Sequence, residues 1–466
     1  MNLYYCKRTQ KERACLRMNI KEKLIRPGYQ EIFMLVIIGG VMLLPQGTEY
    51  FLLLGALIWM AVQNISAIRG GAGLRKKYNR TDLAVFLFLV YEALHMIGQM
   101  IWADEEKGID YSVNVFFIAM TLLYFLCAEI KTFRQNCLDA VIYAGLPVMG
   151  VILYCDLCDV SAAWLLGGLM ESRTELAAYI MLPGMVSVLQ YCRCRNKVRR
   201  LFYGLSAGLS FFLLLIRHHR ISLWLLLFFF LLIPVVMRPT AELIKRAMQM
   251  FVLYMLMLCN MSLLVNYTEL VLTEASYDLR QSVYLELFLA LGAAVFFHYW
   301  DRIPEGTPLE KVVLRKVYRI YRYLIMVLTA FFIALLAGGS WGSLSGHAGA
   351  EFVGKLAEPL HTELMQTENF LYACAQKQGL PVLVGLLFVS VSIGIRLKKK
   401  TGWDRPVTTG LWLLAVMGAV QCLLGNPGIR VLPVYLLLAV SGMRWEEERM
   451  RFTGVRIRDL TQWKSQ

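Results

Sequence analysis

Apolar runs alternate with short charged or Gly/Pro-rich stretches along almost the whole chain. A helix needs about 20 apolar residues to cross the hydrocarbon core of a bilayer, and runs approaching that length recur here. The pattern predicts fourteen spans, over residues 29–46, 50–68, 83–103, 112–130, 138–155, 175–192, 201–216, 221–237, 248–266, 282–300, 323–339, 379–396, 408–425 and 429–444. The expected fold is an all-α polytopic membrane protein of twelve to fourteen transmembrane helices, with one long extracytoplasmic loop carrying short helices. A basic tail over 1–28 precedes a single transmembrane domain over 29–444, and a second tail covers 445–466. The basic start leads into a span with no small-residue cleavage site, so that span is expected to remain as an anchor. Membrane lipids are therefore the first partners implied.

The longest polar interruption runs from Gly338 to Gly379 and includes the loop proper, 340–368. It carries His347 and His361 and the acids Glu351, Glu358, Glu363 and Glu368. A long polar excursion between two spans is where a polytopic protein can do chemistry in water. Phe352, Leu356, Leu360 and Leu364 recur every four residues, which predicts a short amphipathic helix on the bilayer surface.

Composition fits the same picture: 58% of the residues are hydrophobic and the mean hydropathy is +0.54. The formal net charge of +15 is a topology signal rather than a nucleic-acid signal. With both termini cytoplasmic, the spans leave 40 Lys/Arg inside and 8 outside, which accounts for all 48. Basic stripes interleaved with aromatics are absent, so no nucleic-acid partner is expected. Cys155 and Cys158 form a CxxC near the outer end of the fifth span, where a disulfide is possible in an oxidising compartment. Neither this pair nor Cys192 and Cys194 has the further Cys or His partners a zinc site needs, so no metal is expected. No phosphate-binding loop, dinucleotide fingerprint or nucleophile elbow occurs, and no cofactor is implied.

Three groups of ionisable residues lie against the membrane. Glu92 and His95 share one face of the third span, as a mutually satisfied pair or as a proton or substrate contact. Glu286 lies within the tenth span. Arg217, His218, His219 and Arg220 form a tight turn between two short apolar runs, on the side where basic residues are rare. A guanidinium fork there suits phosphate oxygens, so Arg217, His219 and Arg220 are candidate diphosphate ligands; anionic headgroups are the competing partner.

Three segments together resemble the O-antigen ligase and polymerase superfamily of membrane glycosyltransferases. They are TELAAYIMLP at 174–183, FFLLLIRHHRISLWLLLFFF at 211–230, and ENFLYACAQKQGLPVLVGLL at 368–387. Arg220 stands at the family's hairpin arginine and His219 replaces its usual serine. Asn369 matches the asparagine that ends the family's long loop, whereas Glu368 stands where the family has histidine, and His361 lies seven positions earlier. The resemblance implies a bacterial plasma-membrane enzyme that needs neither nucleotide sugar nor metal. It would move a polyprenyl-diphosphate-linked glycan to an acceptor on the outer face, alongside other polysaccharide-assembly proteins. His361, Glu368, His347 and Glu363 are the candidates for the base that deprotonates the acceptor hydroxyl. The competing expectation is a lipid-linked oligosaccharide flippase or polysaccharide exporter, with Glu92, His95 and Glu286 along a central cavity.

Overall fold

The structure is a computed structural model that describes residues 29–44, 47–70, 79–102, 111–127, 135–158, 173–194, 196–217, 219–237, 240–273, 279–302, 308–337, 369–401 and 406–443. Among these, regular structure is entirely helical. The helices are α1 (Tyr29–Leu43), α2 (Thr48–Gly70), α3 (Arg80–Trp102), α4 (Ser112–Cys127), α5 (Gln135–Cys158), α6 (Arg173–Arg193), α7 (Lys197–Ile216) and α8 (Arg220–Val236). They continue as α9 (Ala241–Thr273), α10 (Leu279–Arg302), α11 (Pro308–Ala337), α12 (Phe370–Gln378), α13 (Leu380–Lys400), α14 (Pro406–Leu424) and α15 (Gly428–Gly442). Every predicted span falls on one of them, and α12 is an additional short helix. Among the described residues, seven helices (α3, α5, α6, α7, α11, α13 and α14) are long and apolar enough to cross a membrane, and α1, α2, α4, α8 and α15 carry shorter described apolar stretches. The chain is an all-α membrane protein. The expected helix over 352–364 lies outside the described residues, as do both tails.

The centre of the bundle is α6. Its span is 89% buried, against 22% for α3 and 17% for α11 and for α13, yet it is the least hydropathic of the seven. In lipid, apolar surface does not drive helices together, so close backbone approach and interhelical hydrogen bonds must do it. Both are present along α6. Pro183 seats against Gly145 of α5, where an added Cβ would stand 2.4 Å from the proline ring. The next residue, Gly184, faces Ser210 of α7, where a Cβ would meet the serine Cβ at 2.8 Å. Ser187 Oγ donates to Ser206 Oγ of α7 at 2.9 Å, and Gln190 Nε2 donates to Asp139 Oδ1 of α5 at 2.7 Å. Tyr203 of α7 donates to the same Asp139 oxygen at 2.8 Å, so one carboxylate ties three helices.

The outer helices show the opposite character. Leu287, Phe288, Leu291 and Val295 on α10, and Val384, Phe388 and Val391 on α13, are exposed large apolar side chains. A continuous apolar exterior of this kind suits hydrocarbon rather than water. Peripheral helices are pinned at their ends by charge. Asp82 of α3 accepts from Tyr124 of α4 at 2.7 Å and from Arg396 of α13 at 3.1 Å. Arg246 of α9 donates to the Cys192 carbonyl of α6 at 2.7 Å and pairs with Glu242, while Lys245 pairs with Asp301 of α10.

Two sequence expectations change here. Glu92 and His95 do not satisfy each other directly: Asn114 of α4 sits between them, its Nδ2 3.3 Å from Glu92 Oε2 and 3.0 Å from His95 Nδ1. Glu92 is fully buried and its Oε1 has no partner among the described residues. Cys155 and Cys158 are both free, the first buried and the second exposed, so the possible disulfide is not formed here.

The α5–α6 contact makes a measurable distinction between two glycines. Gly145→Ala must push against a rigid proline ring and is expected to destabilise the protein by about 1–3 kcal/mol. Gly150→Ala, with nothing within 4 Å of its added Cβ, is expected to be neutral or slightly stabilising. Thermal unfolding of the two variants in detergent checks this.

Candidate functional site

The antiparallel pairing of α5, α6 and α7 brings the end of α5, the start of α6 and the turn after α7 to one end of the bundle. That turn is short. Arg217 N donates to Leu213 O at 3.0 Å and closes α7; His219 N donates to Leu214 O at 3.1 Å. His219 then caps α8, its Nδ1 accepting from Ser222 N at 3.4 Å. Arg220 is the first residue of α8 and is exposed. His218 lies outside the described residues.

The three candidate diphosphate ligands therefore have different surroundings. Arg217 is gripped by Asp156 of α5: Nε donates to Oδ2 at 3.0 Å and Nη2 lies 2.5 Å from Oδ1. This bidentate geometry ties the end of α5 to the turn and occupies one edge of the guanidinium fork. His219 is buried, and burial pushes its pKa down to about 4, so the imidazole is neutral and adds no positive charge. Arg220 is an exposed residue at the positive end of the α8 dipole, which favours an anion in front of it.

Further groups gather at the same end. The turn between α14 and α15 is set by Asn426, Pro427 and Gly428, where Gly428 adopts φ +74° and its N–H donates to Asn426 Oδ1 at 3.0 Å. A Cβ on Gly428 would stand 2.9 Å from Glu175 Cγ, so the left-handed glycine lets α15 start flush against α6. Arg430, two residues on, is half-buried and within electrostatic reach of Tyr179, Glu175 and Glu49. The Tyr179 hydroxyl donates to Met42 O of α1 at 2.7 Å. Arg430, Glu175 and Glu49 form a charged cluster that sequence reasoning missed. The available signal was an arginine in the turn GNPGIR.

The polar loop is bracketed by elements at this end. Tyr321 of α11 donates to Leu231 O of α8 at 2.6 Å, and Trp224 of α8 lies 5.4 Å from Phe332 of α11, ring centre to ring centre. That antiparallel register carries the end of α11 to the level of Arg220. At the other flank Asn369 caps α12, accepting from Leu371 N at 2.9 Å, and donates to Leu423 O of α14 at 2.5 Å. Phe370 N donates to Gly425 O at 3.1 Å. The candidate bases His347, His361, Glu363 and Glu368 lie outside the described residues; Glu368 immediately precedes the anchored Asn369. No group of three or more His, Cys, Asp or Glu able to hold a metal occurs among the described residues.

The neutral, buried His219 has a pH consequence. The unfolded chain protonates this imidazole below about 6.5, whereas the folded one resists protonation down to about 4. Its contribution to stability is complete above pH 6.5 and is lost as pH falls toward 4. Melting temperature against pH is expected to drop across that window, and His219→Gln is expected to flatten the drop. No family model, curated protein or solved structure matches this chain.

Proposed function

We propose that the chain is a glycan polymerase or ligase of surface polysaccharide assembly, which transfers a polyprenyl-diphosphate-linked glycan to an acceptor on the outer face of the bacterial plasma membrane. The observation that carries this reading is the pairing of the exposed Arg220, at the positive end of α8, with the two anchored flanks of the long polar loop at the same end of the bundle. The three segments that resemble the O-antigen ligase and polymerase superfamily contribute α6, the α7–α8 turn and α12 to this region.

In the proposed reaction an acceptor hydroxyl oxygen bonds to the anomeric carbon as that carbon's bond to the diphosphate breaks. The hydroxyl proton passes to a base from the loop: His361, Glu368, His347 or Glu363. The leaving diphosphate, still attached to its polyprenyl chain, gains negative charge as the bond breaks. Arg220 and the N–H groups of the first turn of α8 stabilise that charge at the lipid boundary. Arg217, held by Asp156, keeps the turn in place, and His219 serves as its cap.

A second reading is a flippase or exporter of lipid-linked glycan. It is favoured by the fully buried Glu92, whose Oε1 has no described partner and whose Oε2 is held by Asn114. The two readings separate by experiment. Under the transferase reading, Arg220→Ala reduces polymer or ligated product by about 10²–10³-fold with normal membrane insertion, and lipid-linked glycan accumulates on the outer face. Accumulation on the inner face, or full activity in Arg220→Ala, contradicts it. Glu368→Gln and His361→Ala, assayed separately, identify the base, and full activity in both removes the loop from the chemistry.

A further inference from the structure

At the opposite end of the bundle, and independent of the reading above, a groove of about 840 Å³ opens between α7 and α9. Its character changes along its length. One end is lined by Lys197 and Arg200 in the first turn of α7, and the remainder is apolar, including Leu205, Phe212, Leu253 and Met257. Gly204 and Gly208 form part of the α7 wall. An added Cβ at Gly204 would stand 3.3 Å from the Tyr191 ring, and one at Gly208 would stand 3.6 Å from Leu253. The two glycines thus keep the channel open where α7 faces its neighbours. The Tyr191 hydroxyl donates to Gln249 Oε1 at 2.8 Å, which closes the polar end with a satisfied bond between α6 and α9.

The charge at this end lacks a described counter-ion. No described carboxylate pairs with Lys197 or Arg200, and on α9 Glu242 is already engaged by Arg246. The N-terminus of α7, where Asn196 caps Val198 N at 2.9 Å, adds its positive dipole end. From Lys197 to Phe212 the groove follows about 22 Å of helix, longer than one leaflet's share of a hydrocarbon core about 30 Å thick. Leu201 and Leu205 are exposed along its side, so it opens laterally to lipid.

We propose that this groove holds one phosphate-headed anionic lipid, its headgroup at Lys197 and Arg200 and one chain lying along Gly204 and Gly208. Basic pockets between membrane helices take such headgroups by charge and hydrogen bonding, and the apolar channel supplies the chain's contacts.

The test uses the full chain purified in mild detergent, with native mass spectrometry of lipid retained after adding phosphatidylglycerol or phosphatidylcholine. One phosphatidylglycerol per chain is expected to remain bound in preference to phosphatidylcholine. Lys197→Gln combined with Arg200→Gln is expected to weaken phosphatidylglycerol binding about thirtyfold, or about 2 kcal/mol. Gly208→Leu, which fills the channel while keeping the charges, is expected to weaken it as well. Lys398→Gln with Lys399→Gln, at the exposed basic end of α13, is expected to leave it unchanged. If Gly208→Leu fails to fold, the comparison of the two charge pairs decides alone. Equal retention of both lipids, or equal loss from both charge pairs, overturns the proposal.

Discussion

A helix surrounded by other helices inside a bilayer gains little from being apolar, because lipid would accept its side chains just as well. What holds α6 at the centre is therefore close backbone approach and polar bonds to its neighbours. Pro183 against Gly145 and Gly184 against Ser210 let three helices meet almost backbone to backbone. Asp139, Gln190 and Tyr203 then lock them near one end, and Tyr179 reaches α1 near the other. Replacing these groups with larger apolar ones would raise hydropathy and lose the fit.

This central post determines what the two ends of the bundle present. Its first turn, with Glu175, receives the start of α15 and the Arg430 cluster. The neighbouring α7–α8 turn is fixed by the Asp156–Arg217 pair and capped by His219. Arg220, exposed and the first residue of α8, stands at that helix's N-terminus, which is why it bears the phosphate role in the proposed reaction. At the far end three ion pairs, Asp82–Arg396, Glu242–Arg246 and Lys245–Asp301, involve α3, α9, α10 and α13. Lys197 and Arg200 stand outside those pairs.

Much of the architecture was legible from hydropathy alone: each of the fourteen predicted spans corresponds to a helix, including the short runs 201–216, 221–237 and 429–444. Boundaries were less legible. Helix α9 begins at Ala241 rather than 248 because Glu242, Lys245 and Arg246 in its charged first turns are held by ion pairs and backbone carbonyls that only the packed neighbours supply. The partner of Glu92 was invisible for the same reason, since a lone Asn114 in an apolar run says nothing until α3 and α4 are side by side. The Arg217, His219 and Arg220 turn was found because basic residues are rare on that side. Its internal division of labour was not, because Asp156 lies 61 residues away in sequence. Arg430 was not singled out because its acidic neighbours Glu175 and Glu49 come from distant parts of the chain, and the α7–α9 groove exists only between helices.

Outer-face chemistry requires one condition above all: the end of the bundle bearing Arg220 faces outward. Cys158, exposed at the end of α5 close to the Asp156–Arg217 pair, is a natural reporter, and Cys194, partly exposed at the opposite end, is its counterpart. The most direct measurement is labelling of intact cells with a membrane-impermeant thiol reagent, with Cys158→Ser and Cys194→Ser used to assign the signal. The account predicts that Cys158 reacts in intact cells and Cys194 only after permeabilisation. The reverse pattern would put Arg220 in the cytoplasm and contradict the proposed outer-face chemistry.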